Sequence, residues 1–269
     1  EGGGFPGLRL DGFVHPLLAF PGEDPRSLSP SPGVVPCDVD IGPSVRCVCV
    51  TGPNTGGKTV TLKALGLAAL MARAGLRLPC KPGPGGGPVA VPWLDSVFAD
   101  IGDGQSMAAS LSTFSSHVRR VRGIAQAAGR HSLVLLDEIG AGTDPTEGAA
   151  LAAATLQTLA ARAGLVVATT HHSELKALKY ENPFFENAAV EFDEESLRPT
   201  YRVLWGVPGR SNAVAIARRL GLGEEVLQLA EARLQGARLE VDDLVRQLTE
   251  ERAAHADARR RADAAAHEA

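Results

Sequence analysis

Cysteine is scarce in this chain, at four residues in 269, and its placement excludes a disulfide framework. Cys47 and Cys49 alternate on an apolar run while Cys37 and Cys80 stand alone, which fits packing residues in a reducing compartment. Long hydrophobic runs are missing as well. A membrane span needs about 18 uninterrupted apolar residues, and the candidates here are broken by Arg73, Gln157 or Arg162, so no membrane partner is expected and a cytoplasmic protein is. Excess positive charge is also absent: 27 Lys and Arg against 31 Asp and Glu leave a formal net charge of −4. Composition therefore makes no electrostatic case for nucleic acid, and such a contact must come from a local patch. The opening "EGGGFPG" has neither an initiator Met nor a charged-then-apolar leader, and reads as the start of a piece excised from a longer protein.

What is present is a chain, 44% hydrophobic, able to bury one large domain or a domain with an appendage. Residues 1–45 are rich in Gly and Pro and read as loops and short edge strands. "VRCVCVTG" is a buried-strand pattern that runs into a glycine loop and then a helical stretch from Lys58 to about Ala74. "KPGPGGGPVAVP" predicts a turn-rich break with a short strand after it. A helix follows from about Leu111 to Ala128, then the apolar strand "HSLVLLDEIG", a helix from Pro145 to Ala163, the buried strand "GLVVATTHH" and a hairpin in "AAVEFDEESLRPTYRVLWG". This alternation predicts an α/β fold whose mainly parallel sheet is covered on both faces.

From residue 211 the pattern turns helical. Ser211 can cap a short helix, Gly221 can end it, and a second starts near Gly223. Leu227, Leu234, Val241 and Leu248 recur every seven residues, with Ala230, Ala237 and Leu244 between them, a weak coiled-coil seam. An amphipathic helix lying on its own domain is the plainer alternative, and Gly236 costs either about 1 kcal/mol. The expected division is 1–210, 211–235 and 236–269.

Gly52, Gly57, Lys58 and Thr59 satisfy G-x-x-x-x-G-K-[ST] between a strand and a helix. Glycines let the backbone curl so that successive N–H groups face a phosphate, and the helix N-terminus adds partial positive charge. Pro53, Asn54, Thr55, Gly56 and Val60 complete the expected ATP-binding stretch. Lys58 would bridge the β- and γ-phosphates and Thr59 would offer its hydroxyl to Mg²⁺. A strand ending in Asp137 places a second oxygen donor beside the metal, and Glu138 follows where it can polarise an attacking water. His171, at the end of the next strand, could donate to the γ-phosphate. His171 and His172 point in opposite directions if extended, and nothing else sits at ligand spacing, which argues against zinc.

These elements fix the class, and details narrow it. "GPNTGGKTVTLK", "SLSTFSSHVRRV", "LLDEIGAGTDPTEGAAL", "TTHHSELK" and "YRVLWGVPGRSNAVAIARRLGL" occur in that order. Together they resemble the ATPase domain of the MutS superfamily, and within it the second bacterial branch, MutS-two, from about His15 to about Leu222. The resemblance implies a P-loop NTPase of the ABC-ATPase type with a helix-turn-helix appendage and a long C-terminal helix. It implies Walker A at Gly52–Thr59, Walker B at Asp137 with Glu138 catalytic, a D-loop at Ala141–Asp144 and a γ-phosphate-sensing His171. It also implies that the segment holding Ser112 reaches the partner's nucleotide in a homodimer. Ser112 and Thr113 lie at or near a helix start, which suits an anion, although an ordinary N-cap reads the same. Two departures stand out: the adenine-stacking aromatic of mismatch-repair relatives is replaced by Val34 or Val35, and the Tyr after the sensor is His172.

The helical tail invites a groove-binding reading through Arg210, Arg218 and Arg219. Leu220, Leu222, Val226 and Leu229 form an apolar face, and Glu224 and Glu225 would repel phosphates, so dimerisation is favoured. Arg119, Arg120 and Arg122 read as a solvated helix face. DNA contact is expected through parts of the full protein outside this stretch, with the ribosome a further candidate. The expected function is a Mg-dependent ATPase driving a DNA-processing protein concerned with recombination. The alternative is a nucleic-acid- or ribosome-binding module in which ATP is mainly a conformational clamp. A transporter ATPase is remote, because "GDGQSMAASLSTF" stands where an "LSGGQ"-like signature would be needed.

Overall fold

The computed structural model describes residues 6–20, 33–53, 56–80, 89–102, 110–193, 196, 198–209 and 213–234. The chain divides into two compact units, Glu1–Ser211 and Asn212–Ala269. In the first, β1 (Leu8–Phe13), the short α1 (Pro16–Ala19), β2 (Cys37–Ile41) and β3 (Cys47–Thr51) precede α2 (Lys58–Arg73). Then come β4 (Ser96–Asp100), α3 (Ser110–Ala127), β5 (Ser132–Leu136), α4 (Pro145–Ala160) and β6 (Leu165–Thr169). A 3₁₀ turn (Ser173–Ala177), α5 (Leu178–Glu181), β7 (Phe185–Asp193) and β8 (Arg198–Trp205) complete it.

β1 and β2 form an antiparallel pair, and the other six strands form one sheet in the order β4-β5-β6-β3-β7-β8. Its neighbours are parallel except for the last pair, β7 with β8. Every residue of β3, β5 and β6 is buried, because helices cover both faces of a parallel sheet. Alternation along each strand then sorts side chains to two cores. Val48, Val50, Leu133, Leu135, Leu165 and Val167 meet Leu62, Leu65, Ala68 and Ala69 of α2 and the β1–β2 pair. Cys47, Cys49, Val134, Leu136, Val166 and Ala168 meet Ile124 of α3, Leu156 and Leu159 of α4, and Leu175 and Leu178. The four cysteines are all free. Burial with Asp38 nearby pushes the Cys37 thiol up to about 12, and burial raises Cys47 strongly, so neither is a ready nucleophile.

One sequence expectation is met and another shifts. The short strand expected after "KPGPGGGPVAVP" is β4, and within that stretch Ala90 makes an isolated bridge with Arg9. β4 lies at one edge of the sheet, and its side chains are mostly half-buried. Helix α4 ends at Ala160, three residues short of the expected Ala163.

In the second unit, α6 (Ala213–Arg219) stops at Gly221, which takes φ 83°. The chain is helical again over 224–234. Arg218 bonds Glu224 at 3.3 Å and Glu231 at 3.0 Å, holding the two helices together. Ser211, Arg210, Gly236 and the seam positions from Ala237 onward lie outside the described residues. No helix among the described residues is long and apolar enough to cross a membrane.

The helices approach the sheet and its loops through glycine. A Cβ on Gly148, in α4, would lie 2.3 Å from the Gly140 carbonyl oxygen, whereas one on Gly66, in α2, would meet only a Leu135 methyl at 2.7 Å. A carbonyl fixed in a loop cannot yield as a methyl can. Gly148→Ala is therefore expected to cost about 1–3 kcal/mol and Gly66→Ala to stay within about 1 kcal/mol of the parent, measured by urea denaturation.

Candidate active site

The three parallel strands β3, β6 and β5 lie side by side and end at the same edge of the sheet, where the chain leaves each for a loop. Ligands of open parallel sheets bind at such carboxyl ends. After β3 the chain turns through Gly52, with φ 132°, and enters α2 through Gly57, with φ 91°, left-handed values that favour glycine. A Cβ on Gly52 or Gly56 would stand 2.5 Å from Val190, so the loop can lie this close to β7 only without side chains. Asn54 and Thr55 lie outside the described residues, Pro53 is half-buried, and Val60 is exposed on α2.

Lys58 is buried on the first turn of α2, and its ammonium donates to the Gly52 carbonyl at 2.7 Å. Burial lowers its pKa, opposed by the charges of Glu138 and Asp137. One residue on, the Thr59 hydroxyl donates to the Asp137 carboxylate at 2.8 Å. The other carboxylate oxygen accepts from the Thr169 hydroxyl at 2.5 Å, and that hydroxyl in turn accepts the Glu138 N–H at 2.8 Å. One continuous chain of bonds thus runs from α2 through the end of β5 to the end of β6. Glu138 sits at φ 49°, strain of the kind that collects at functional sites, and its carboxylate is half exposed.

His171 follows the end of β6, its Nε2 3.4 Å from the Lys58 ammonium and 3.6 Å from the Glu138 carboxylate. Burial first, then the Lys58 charge, push its pKa below the ordinary value, against the pull of Glu138. The ring is therefore neutral near pH 7. His172 turns elsewhere: a Cβ on Gly140 would lie 2.8 Å from its Nε2, so it flanks the loop after Glu138. In that loop Asp144 accepts the N–H groups of Thr146 and Glu147 at 2.9 and 3.1 Å, capping α4. Ser112 falls on the first turn of α3, and its side chain lies outside the described residues.

Two residues at this site escaped the sequence reasoning. Thr169 joins both acids, and the only hint was a hydroxyl within "ATTHH". Tyr201, in β8, adopts φ 61°, is half exposed, and lies 3.4 Å from where a Gly57 Cβ would be. Its aromatic ring thus stands beside the phosphate loop, while Val34 and Val35 are both half-buried.

The donors suit a small hard cation. Thr59 and Asp137 present oxygen atoms already in contact, and among the described residues no group of three or more His, Cys, Asp or Glu side chains is placed to hold a metal. Two protein oxygens, with the rest from phosphates and water, is the usual supply for Mg²⁺ at a nucleotide.

The family profile of MutS domain V matches residues 48–238. The chain is 50% identical over 263 residues to Endonuclease MutS2 of Synechocystis sp., an alignment covering 91% of this chain and 31% of that protein. It is 47% identical over 258 residues to Endonuclease MutS2 of Clostridium tetani, covering 96% and 32%. With Endonuclease MutS2 of Thermomicrobium roseum the identity is 49% over 248 residues, covering 92% and 29%. The chain thus spans about a third of the length of the curated relatives it matches.

The depressed pKa of His171 gives a pH signature. As pH falls below about 6.5 the unfolded chain takes up the proton first. The contribution to stability is whole above that value and is lost as pH falls through the lower folded pKa. His171→Asn removes it, so melting temperature should fall less between pH 7.5 and pH 5.5 in the variant than in the parent, read by circular dichroism. Parallel pH profiles would contradict the assignment.

Proposed function

Because this chain belongs to the MutS superfamily, in its MutS2 branch, we propose that it is a Mg-dependent ATP hydrolase whose active sites are completed across a homodimer. The observation that supports hydrolysis is the bond chain Thr59–Asp137–Thr169–Glu138. It holds a metal-ligating acid and a potential general base in fixed relation, one residue apart, beside the buried lysine of the phosphate loop. Lys58 exchanges its bond to the Gly52 carbonyl for phosphate oxygens, and the loop amides take the rest of the anion. Thr59 and Asp137 would hold Mg²⁺, which would supply charge neutralisation at the γ-phosphate. Glu138 accepts a proton from the attacking water, and neutral His171 orients toward the γ-phosphate as a hydrogen-bond partner. The adenine ring stacks on Tyr201.

The composite site rests on α3. Its first turn carries no acid, unlike that of α4 with Glu147, so no carboxylate there would repel the partner's γ-phosphate near Ser112. Exposed Leu220, Leu222, Val226, Leu229 and Leu234 supply apolar surface for dimerisation through the second unit, while Arg218 is neutralised by two glutamates rather than free for a DNA phosphate. The cycle drives DNA-processing parts of a fuller protein, in the cytoplasm; the relatives carry endonuclease in their names.

Glu138→Gln should keep nucleotide affinity while slowing hydrolysis by about 10²–10⁴-fold, the range for losing a general base. Phosphate release with fluorescent-nucleotide titration reads both, and turnover near that of the parent would refute the role. Thr169→Val removes the hydroxyl that joins the two acids and is expected to lower kcat about 10–100-fold with the phosphate loop still binding ATP. Specific activity should rise with protein concentration as dimers form, and strictly concentration-independent turnover would count against a shared site.

A further inference from the structure

We propose that Asp100 is the positioning residue that sets helix α3 for its action on the partner's nucleotide; the inference rests on the dimeric reading above. Asp100 ends edge strand β4 and is almost wholly buried, at 3% exposure. Its carboxylate accepts from His117 Nδ1 at 2.7 Å and from Arg120 Nε. An ionised carboxylate can only accept, so both helix side chains are donors, and Arg120 makes the bond charge-assisted. Positions 113, 117 and 120 are four and three apart and fall on one face of α3. The clamp therefore fixes both the roll and the axial setting of the turn that carries Ser112 and Thr113.

A second contact holds the same end. Phe114 lies against the loop that follows Glu138, where a Cβ on Gly142 would be 3.6 Å from that of Phe114. The helix start is thus braced at two points, one of them the buried acid.

Asp100 also meets its own active site: its carbonyl accepts the Asp137 N–H at 2.9 Å, and the residue lines a cavity together with Asp137 and Glu138. Replacing the side chain leaves that bond in place, and Asp137 keeps Thr59 and Thr169. A side-chain substitution should therefore loosen α3 while leaving the chain's own phosphate loop and acids intact. The defect belongs to the partner's site.

That separation can be tested by mixing. Asp100→Asn should retain nucleotide affinity within about twofold and lose turnover by about 10–100-fold, the cost of misplacing a catalytic group by about an ångström. Glu138→Gln is defective in its own site and has an intact α3. A mixed dimer then holds one complete site, built from the acids of the Asp100→Asn chain and the α3 of the Glu138→Gln chain. Random exchange makes about half the dimers mixed, so an equal mixture should recover about a quarter of parental activity, far above either variant alone. Two inactive variants that give no recovery would overturn the proposal, since Asp100 would then serve its own acids. Full activity of Asp100→Asn would overturn it as well. Arg120→Ala, at a half-exposed position, carries the same test should Asp100→Asn lower the melting temperature. Full activity of Glu138→Gln would instead refute its role as general base, whereas absence of turnover in the parent itself would overturn the ATPase reading, and this inference with it.

Discussion

A carboxylate with 8% exposure is stable only if its charge is met, and Asp137 is met by two threonine hydroxyls, Thr59 from α2 and Thr169 from β6. Each charge-assisted O–H···O bond offsets part of the desolvation that burial imposes. Because the partners come from different elements, the acid also binds three strand ends together: the loop after β3, the end of β5 and the end of β6. Glu138 inherits its place from this arrangement, since its N–H ends on the same Thr169 hydroxyl. Thr59 and Asp137, bonded to each other here, are hard oxygen donors of the kind a magnesium ion prefers.

Much of this was legible because phosphate recognition is local. An anion held by main-chain amides needs glycines, a lysine and a hydroxyl within one turn, and a strand that ends in acids announces itself by a run of apolar residues. The residues that escaped are joined to the site only by the fold. Thr169 lies 32 residues from Asp137 in sequence, and nothing local distinguishes it from Thr170. Asp100 ends a strand whose side chains are mostly half-buried, so "SVFAD" gives neither the continuous apolar run of a central strand nor a clean alternation. Tyr201 depends on a left-handed backbone and a register shift in the β7–β8 pair, which composition cannot express.

The stabilising framework and the chemistry divide along the length of the strands. The middle of each central strand alternates between two apolar cores, and polar residues concentrate at the carboxyl ends: Thr51, Asp100, Asp137, Thr169 and Thr170 are all buried there. Thr51 shows the structural side of that edge. Its hydroxyl donates to the Ala188 carbonyl and accepts the Gly209 N–H at 2.7 Å, and a Cβ on Gly209 would stand 2.9 Å from the Thr51 carbonyl group. The base of the phosphate loop is therefore gripped from β7 and from the segment after β8 before any ligand contributes.

Charge gives a reason for a shared site. Within one chain, Lys58 is the cation at the loop, Asp137 and Glu138 oppose it, and His171 is kept neutral by burial and by Lys58 itself. A triphosphate is a polyanion, and one lysine against two acids leaves no surplus positive charge to receive it. Amides of the loop and a divalent ion supply part of the deficit. In the proposed dimer the remainder would come from the partner, where a helix start free of acidic residues, such as that of α3, would bring positive potential without another titratable side chain. Under the proposed dimer, charge balance would itself link hydrolysis to closure, because the deficit left by one chain would be met only by a second.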